Sequence, residues 1–417
     1  GWQTSATGGI PMSSLILRSL LSGSAAIMLV GCATAEHHEA TAPDAMTVTG
    51  TSGTQLTATP LETFDSAWAM TFLPDGRALV SEKDGDLWLL DTAGKKLGEI
   101  ANVPSVTAMG QGGLGDIIVH PDFAENGTVF ISYVERDETD ESLSGAAVER
   151  ATLTLTATGG TLEGRDVIWR QTPKVKGNGH YGHRLAIAPD GHLFIASGER
   201  QKFTPAQNMV MNLGKVVRVN QDGSVPEDNP FFGNGAVADQ VWTLGHRNPL
   251  GIAFDGQERL WVVEMGPKGG DELNLIVRSE NYGYPEVSEG DHYSGKPIPT
   301  HESNPIFEDP AIAWVPAISP AGLVFYDGEM FADWQGNAFI GGLSSQALIR
   351  VSFETEPTDN LGQPPKDGQT EPVAREAERY EWGKRIREVE QGPDGALYVL
   401  EDKEGGRLIK LTPAAAQ

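Results

Sequence analysis

Six times along the chain, a short polar turn hands over to a run in which apolar side chains alternate with polar or small ones. The segments are LPDGRALVSEKDGDLWLL from Leu73, HPDFAENGTVFISYV from His120, APDGHLFIASGER from Ala188, FDGQERLWVVEMG from Phe254, DWQGNAFIGGLSSQALIRV from Asp333 and GPDGALYVLED from Gly392. The first, third and sixth are close copies. Asp suits the turn because its carboxylate bonds the backbone two residues on, and Gly because it accepts positive φ. The alternation that follows predicts a strand with one buried face. Between the turn aspartates Asp75, Asp122, Asp190 and Asp255 the steps are 47, 68 and 65 residues, each enough for four strands and a variable loop. Six such units predict an all-β chain folded as a six-bladed β-propeller, in which each sheet buries its faces on its neighbours. A pair of β-sandwiches is the competing architecture.

Composition agrees. Fifty Gly and 26 Pro in 417 residues punctuate the chain too often for long helices. A net charge of -26 repels nucleic acid and anionic lipid, so any anionic ligand needs a local cluster of Arg or Lys. The single cysteine excludes an internal disulfide, and its position is informative. From Met12 the chain reads MSSLILRSLLSGSAAIMLVGC, with one cation at Arg18, an apolar run from Leu20 to Val30 and small residues before Cys32. That is the layout of a secretory signal, too short and interrupted for a membrane span. Leu29-Val30-Gly31-Cys32 resembles the bacterial lipobox, which implies removal of residues 1–31, lipidation of Cys32 and a periplasmic protein touching the membrane only through that lipid. Residues 1–11 read as sequence upstream of the start methionine. Residues 32–53 read as a flexible tether in which His37 and His38 are solvated, leaving 54–417 as the folded domain.

Four glycine-rich inserts between the repeats carry the candidate chemistry. They are Gly110-Gln111-Gly112-Gly113-Leu114-Gly115-Asp116, Gly177-Asn178-Gly179-His180-Tyr181-Gly182-His183-Arg184-Leu185, Leu244-Gly245-His246-Arg247-Asn248-Pro249-Leu250-Gly251, and Glu264-Met265-Gly266-Pro267-Lys268-Gly269-Gly270-Asp271-Glu272. Glycine and proline in the last turn backbone carbonyls inward, a suitable presentation for a hard cation such as Ca²⁺. By residue type alone either His180 or His183 serves as base or as core.

WTLGHRNPLGIAF, EMGPKGGDELNLI and ENYGYP in succession, flanked by GQGGLGDIIVHPDF, GHYGHRLAIAPDG, DNPF and KRIREVEQGPDGALYVL, resemble the pyrroloquinoline quinone (PQQ) dependent aldose and glucose dehydrogenases from about Thr54 to Leu411. The resemblance implies oxidation of an aldose at C1 to the lactone, with an external cytochrome or quinone as final electron acceptor. It implies that His180 is the general base, that Arg247 stabilises charge developing on the cofactor, and that Asn248, Arg385, Arg387 and Gln111 bind PQQ. Gln111 and Trp314 would face the sugar, and the Gly266 and Pro267 carbonyls would hold Ca²⁺. Residues i and i+2 of a strand share a face, so Arg385 and Arg387 can reach one carboxylate together.

Two positions depart from the family pattern. Gly179 stands where the glucose branch has a sugar-binding aspartate, which points to a broader aldose range. Ser344 stands where relatives place a PQQ-binding lysine, and Lys268 is the nearest candidate to replace that charge. Two other readings stay open on the residues: a calcium-dependent lactonase on the same architecture, and a sugar-binding propeller without catalysis.

Overall fold

In the computed structural model of the chain, the described residues are 44–355 and 372–415. The signal-like segment, Cys32 and most of the expected tether lie outside them. The strands, in chain order, are β1 (Met46–Thr49), β2 (Gln55–Asp65), β3 (Ala67–Phe72), β4 (Ala78–Glu82), β5 (Leu87–Leu90), β6 (Lys96–Ala101), β7 (Leu114–Val119), β8 (Thr128–Arg136), β9 (Leu143–Leu155) and β10 (Gly160–Arg170). They continue as β11 (Val175–Lys176), β12 (Gly182–Ile187), β13 (Leu193–Ser197), β14 (Lys215–Val219), β15 (Val241–Leu244), β16 (Asn248–Phe254), β17 (Leu260–Met265), β18 (Asp271–Leu275) and β19 (Ile312–Trp314). The last are β20 (Pro320–Phe325), β21 (Ala338–Gly342), β22 (Ala347–Thr355), β23 (Pro372–Glu381), β24 (Ile386–Gln391), β25 (Leu397–Glu401) and β26 (Glu404–Pro413).

The strands pair as antiparallel meanders: β12 to β15, β16 to β19 and β20 to β23 each form a four-stranded sheet. The runs β3 to β6 and β7 to β10 do the same but merge through two parallel pairs between β6 and β10. The last sheet has the order β1-β2-β26-β25-β24, so a strand from the start of the fold completes a meander from its end, with Leu56 opposite Pro413 and Asp65 opposite Glu404. The first strands β3, β7, β12, β16, β20 and β24 each touch the next, and β24 returns to β3.

Every repeat found in the sequence falls on the turn and second strand of one meander. In the first, Gly76 takes φ 89°, its N–H donates to the Leu73 carbonyl and Asp75 accepts the Arg77 N–H at 3.0 Å. Gly191 with Asp190, and Gly395 with Asp394, repeat the device. One expectation is corrected: these strands bury both faces. Leu79 packs with Ile117 and Ile131 of the following sheet, while its neighbour Val80 packs with Tyr398 and Leu400 of the preceding one. Leu193 and Ile195 likewise face one way, and Phe194 and Ala196 the other. A sheet enclosed between two others has no solvent side, so alternation in residue type here separates two cores.

The tether is also shorter than expected. β1 pairs with β2, and the turn between them is anchored by Glu378, whose carboxylate accepts the N–H groups of Ser52 and Thr54 at 3.2 and 3.1 Å. Residues 46–53 thus belong to the fold; their run of Thr, Ser and Gly conceals a hairpin.

Candidate active site

All four glycine-rich inserts lie at one end of the first strands, because each leads into a first strand or joins a second to a third. Two adjoining cavities open there, of about 350 and about 490 Å³, and Gln111, Met265 and Ser319 line both.

His180 lines the larger one, at the end of the insert before β12. Its Nδ1 bonds the buried carboxylate of Glu199, just beyond β13. A carboxylate there accepts, so Nδ1 carries the proton and Nε2 has the lone pair. Among the described residues Nε2 has no hydrogen-bond partner. The backbone N–H of His180 donates to Gln111 Oε1 at 2.9 Å, which fixes the ring's root from the seam between the cavities. Burial pushes the imidazole below its ordinary pKa; the Glu199 bond opposes this and the charges of Arg247 and Arg200 add to it. The histidine is therefore neutral near pH 7. Burial would raise Glu199, yet its hydrogen bonds to His180 and to the Phe203 N–H carry it below the usual range. The Gln201 and Phe203 N–H groups also donate to Glu199, at 2.9 and 2.6 Å. Arg200, Gln201 and Phe203 all have φ between 59° and 67°, the strained conformation needed to wrap this loop round one carboxylate.

His183 is a core residue. It is 1% exposed, bonds Ser132 Oγ at 2.7 Å, stacks on Trp68 at 4.9 Å, and burial lowers its pKa to about 3. His246 is completely buried between Thr243 and Glu264. Glu264 also accepts the Arg247 N–H at 2.7 Å, so the buried histidine and carboxylate set the arginine's position.

Arg247 lines the larger cavity and Asn248 the smaller. Among the described residues, Arg247 Nε and Asn248 Oδ1 are buried without a hydrogen-bond partner. Two such orphans cost about 1–3 kcal/mol each unless a ligand satisfies them. Arg385 and Arg387 line the smaller cavity and converge on Asp402, at 2.9 and 3.3 Å. Burial works against Asp402, but Arg387's charge and Arg385's hydrogen bond hold it below the usual carboxylate range.

Not every expected residue arrives. Trp314 lines neither cavity: it ends the fourth strand of its sheet, its indole donates to Glu376 Oε1 at 3.2 Å, and it packs against Ile318 and Leu323. Lys268 is exposed and lines neither cavity, so it does not replace the missing lysine. Ser344 reaches the site only by a 2.6 Å hydrogen bond to Ser319. A side chain at Gly179 would meet the Gln201 amide 2.5 Å away, so Gln201 fills the space an aspartate would need.

The smaller cavity suits an anionic quinone: paired guanidiniums and Asn248, with its orphaned Oδ1, line it, and Arg247, with its orphaned Nε, lines the adjoining cavity beside His180. The fit for calcium is poorer. Gly266 and Pro267 line the larger cavity, but the Gly266 carbonyl already accepts the Arg247 guanidinium. Among the described residues no three His, Cys, Asp or Glu side chains form a metal cluster. Calcium remains an expectation from the resemblance, and no step is derived through it.

The chain is similar to known proteins along most of its length. Residues 64–410 match the family model described as glucose/sorbosone dehydrogenase. The chain belongs to the glucose/sorbosone dehydrogenase family. It is 35% identical over 356 residues to the aldose sugar dehydrogenase YliI of Escherichia coli, covering 84% of this chain and 90% of that one. A crystal structure of a glucose dehydrogenase superposes with TM-score 0.77 at 37% identity, covering 86% of this chain and 99% of its own. The PQQ-bound form of an aldose sugar dehydrogenase from Streptomyces coelicolor superposes with TM-score 0.64 at 28% identity, over 85% and 97% of the two chains.

No motif assigned a role to Glu199, Asp402, Glu264 or Gln201, although Glu264 opens the fourth insert. Glu199 had a visible signal, since the second strands β4, β17 and β25 carry a buried glutamate at their last or last-but-one residue, at Glu82, Glu264 and Glu401.

Proposed function

We propose that the protein oxidises aldoses at the anomeric carbon to lactones, with PQQ in the smaller cavity and the sugar in the larger. The observation that carries this reading is the adjoining pair of cavities: a neutral imidazole with a free Nε2 in one and two guanidiniums in the other, joined across Gln111. When bound, the quinone supplies the acceptor for the hydride leaving C1. His180 Nε2 takes the C1 hydroxyl proton, and Glu199 stabilises the imidazolium that forms. Arg247, permanently charged and held by Glu264, stabilises negative charge that develops beside it. Asn248 and the arginine pair hold and orient the anionic cofactor. Electrons then pass to an external cytochrome or quinone.

We read the meanders as the blades of a six-bladed propeller, supported by the six first strands in mutual contact and the β2–β26 closure. The lipobox-like segment supports a periplasmic lipoprotein attached through Cys32; Cys32→Ser should release the protein from the membrane fraction, and unchanged membrane association would contradict the anchor. Gly179 and the Gln201 amide in its place support a broader sugar range than glucose alone.

The test is reconstitution. Protein freed of cofactor and dialysed against a chelator is given PQQ, with and without Ca²⁺, and assayed for aldose-driven dye reduction and lactone formation. Activity that depends on PQQ is expected. Full activity with NAD alone, or with no cofactor, contradicts the reading. Comparison of the two PQQ arms decides whether calcium is required.

A further inference from the structure

The resemblance leaves one cofactor cation unaccounted for, because the serine at 344 carries no charge and Lys268 lines neither cavity. The smaller cavity nevertheless has a large positive surplus. Its charged lining residues are Lys83, Arg385, Arg387 and Lys403 against the single carboxylate Asp402, three positive charges in excess within a chain of net charge -26. Such a local reversal of sign draws an anion of high charge out of solution.

The two lysines are placed by one hydrogen-bonded run of backbone. The Lys83 N–H donates to the Ser66 carbonyl at 2.9 Å, and the Ser66 N–H donates to the Lys403 carbonyl at 2.9 Å. Ser66 itself lines the cavity with φ 58°, the sharp turn between β2 and β3 that lets one residue bond both neighbours. One residue before Lys403, the Asp402 N–H donates to the Arg385 carbonyl at 2.8 Å, which ties the lysine pair to the arginine pair. On the other side the Lys83 carbonyl accepts the Leu114 N–H at 2.9 Å, so the run continues into β7. The backbones are thus fixed while the ammonium groups are not. Among the described residues, neither Lys83 nor Lys403 has a hydrogen-bond or ion-pair partner for its ammonium. Arg385 and Arg387, by contrast, already share Asp402.

We propose that Lys83 and Lys403 are cofactor-binding residues, two free cations on the rim formed by Ser66 that take carboxylates of a tricarboxylate quinone in place of the lysine absent at 344. The inference rests on the assignment of PQQ to this cavity. It gives binding an unequal distribution: the arginines fix orientation through a shared, pre-formed network, and the lysines supply charge without preset geometry.

The test is the affinity of cofactor-free protein for PQQ, followed by quenching of tryptophan fluorescence in the parent chain and in Lys83→Met, Lys403→Met, the double variant and Lys268→Met. Lys268 is an exposed lysine outside the cavity, so its loss removes the same charge without removing a contact. Each rim variant is expected to raise the dissociation constant about three- to tenfold, and more in the double variant. Lys268→Met should change it little, and Lys83→Arg should restore most of the loss. Because the rim lysines are partly solvated, the differences should shrink in 0.5 M salt. Thermal unfolding of each variant without cofactor separates lost binding from lost fold. If the parent binds PQQ and both rim variants bind equally well, or if Lys268→Met weakens binding as much as they do, the inference is overturned. If the parent does not bind PQQ, it is the functional reading that fails.

Discussion

At the scale of single residues, the site depends on which of two nearby histidines has a free nitrogen. Replacing His180 by Ala is expected to lower turnover by ~10²–10⁴ while leaving PQQ affinity nearly unchanged, as steady-state rates and a binding titration would show. His183→Ala should act on stability instead, by roughly 1–3 kcal/mol in a denaturant titration, because it removes a ring stacked on Trp68 and bonded to Ser132. A pattern reversed between the two would move the base to the other histidine. Glu199→Gln separates positioning from proton transfer. Glu199 raises the His180 pKa, so its neutralisation lets burial and the two arginines lower that pKa further. The acidic limb of the rate profile, set by the need for a neutral base, should move to lower pH while the plateau falls by roughly tenfold or more. An unmoved limb with an equal loss would give Glu199 a purely structural role. His180 and Arg247 were legible from their motifs; of Glu199 only its place after a second strand was, because its contact with His180 depends on a loop whose positive φ values no residue type announces.

At the scale of elements, the second strands were the most legible feature, since a Pro-Asp-Gly turn and four or five apolar-rich residues recur with little variation. Their burial was misread because residue alternation cannot distinguish a strand with one wet face from one between two cores. The hairpin at 46–65 was half hidden: its second strand pairs across more than three hundred residues with β26, and nothing local marks such a partner. This closure makes a stability prediction. Leu56 is fully buried on β2, packed with Leu411 and Ile409 of β26, and Leu56→Ala should cost about 2–5 kcal/mol in chemical denaturation. A loss below about 1 kcal/mol would mean that β2 adds little to the last sheet. The glutamates at or near the ends of the second strands show how one position takes two roles. Glu401 braces Arg407 and Trp382, while its counterpart Glu199 has turned to His180.

At the scale of the whole molecule, charge is managed by placement. Beneath the smaller cavity, Arg184 on β12 bonds the Leu250, Trp68 and Arg387 carbonyls and Glu388 on β24, and lies 3.8 Å from Asp116 on β7. β7 adjoins β12, but β24 does not, so through Glu388 the arginine reaches across the ring of first strands. Asp116, Glu388 and Glu390 share this one cation, and burial raises all three; Glu388 is pushed up to about 7, with Arg184 opposing. The native state therefore binds protons more tightly than the unfolded chain. That contribution to stability is complete below the ordinary carboxylate range near 4.5 and is lost as pH rises through about 7. Melting temperature should fall across this window, and Glu390→Gln should raise it at pH 8 by about 1–4 °C. A melting temperature that climbs from pH 5 to 7.5, and no gain in the variant, would contradict the account. The most direct test of the central claim is a single anaerobic turnover: protein loaded with PQQ is mixed with an aldose and the quinone absorbance is followed in the parent and in His180→Ala. The account predicts rapid bleaching in the parent and bleaching slowed by ~10²–10⁴ in the variant at equal cofactor occupancy. No bleaching in the parent, or equal rates in both, would contradict it.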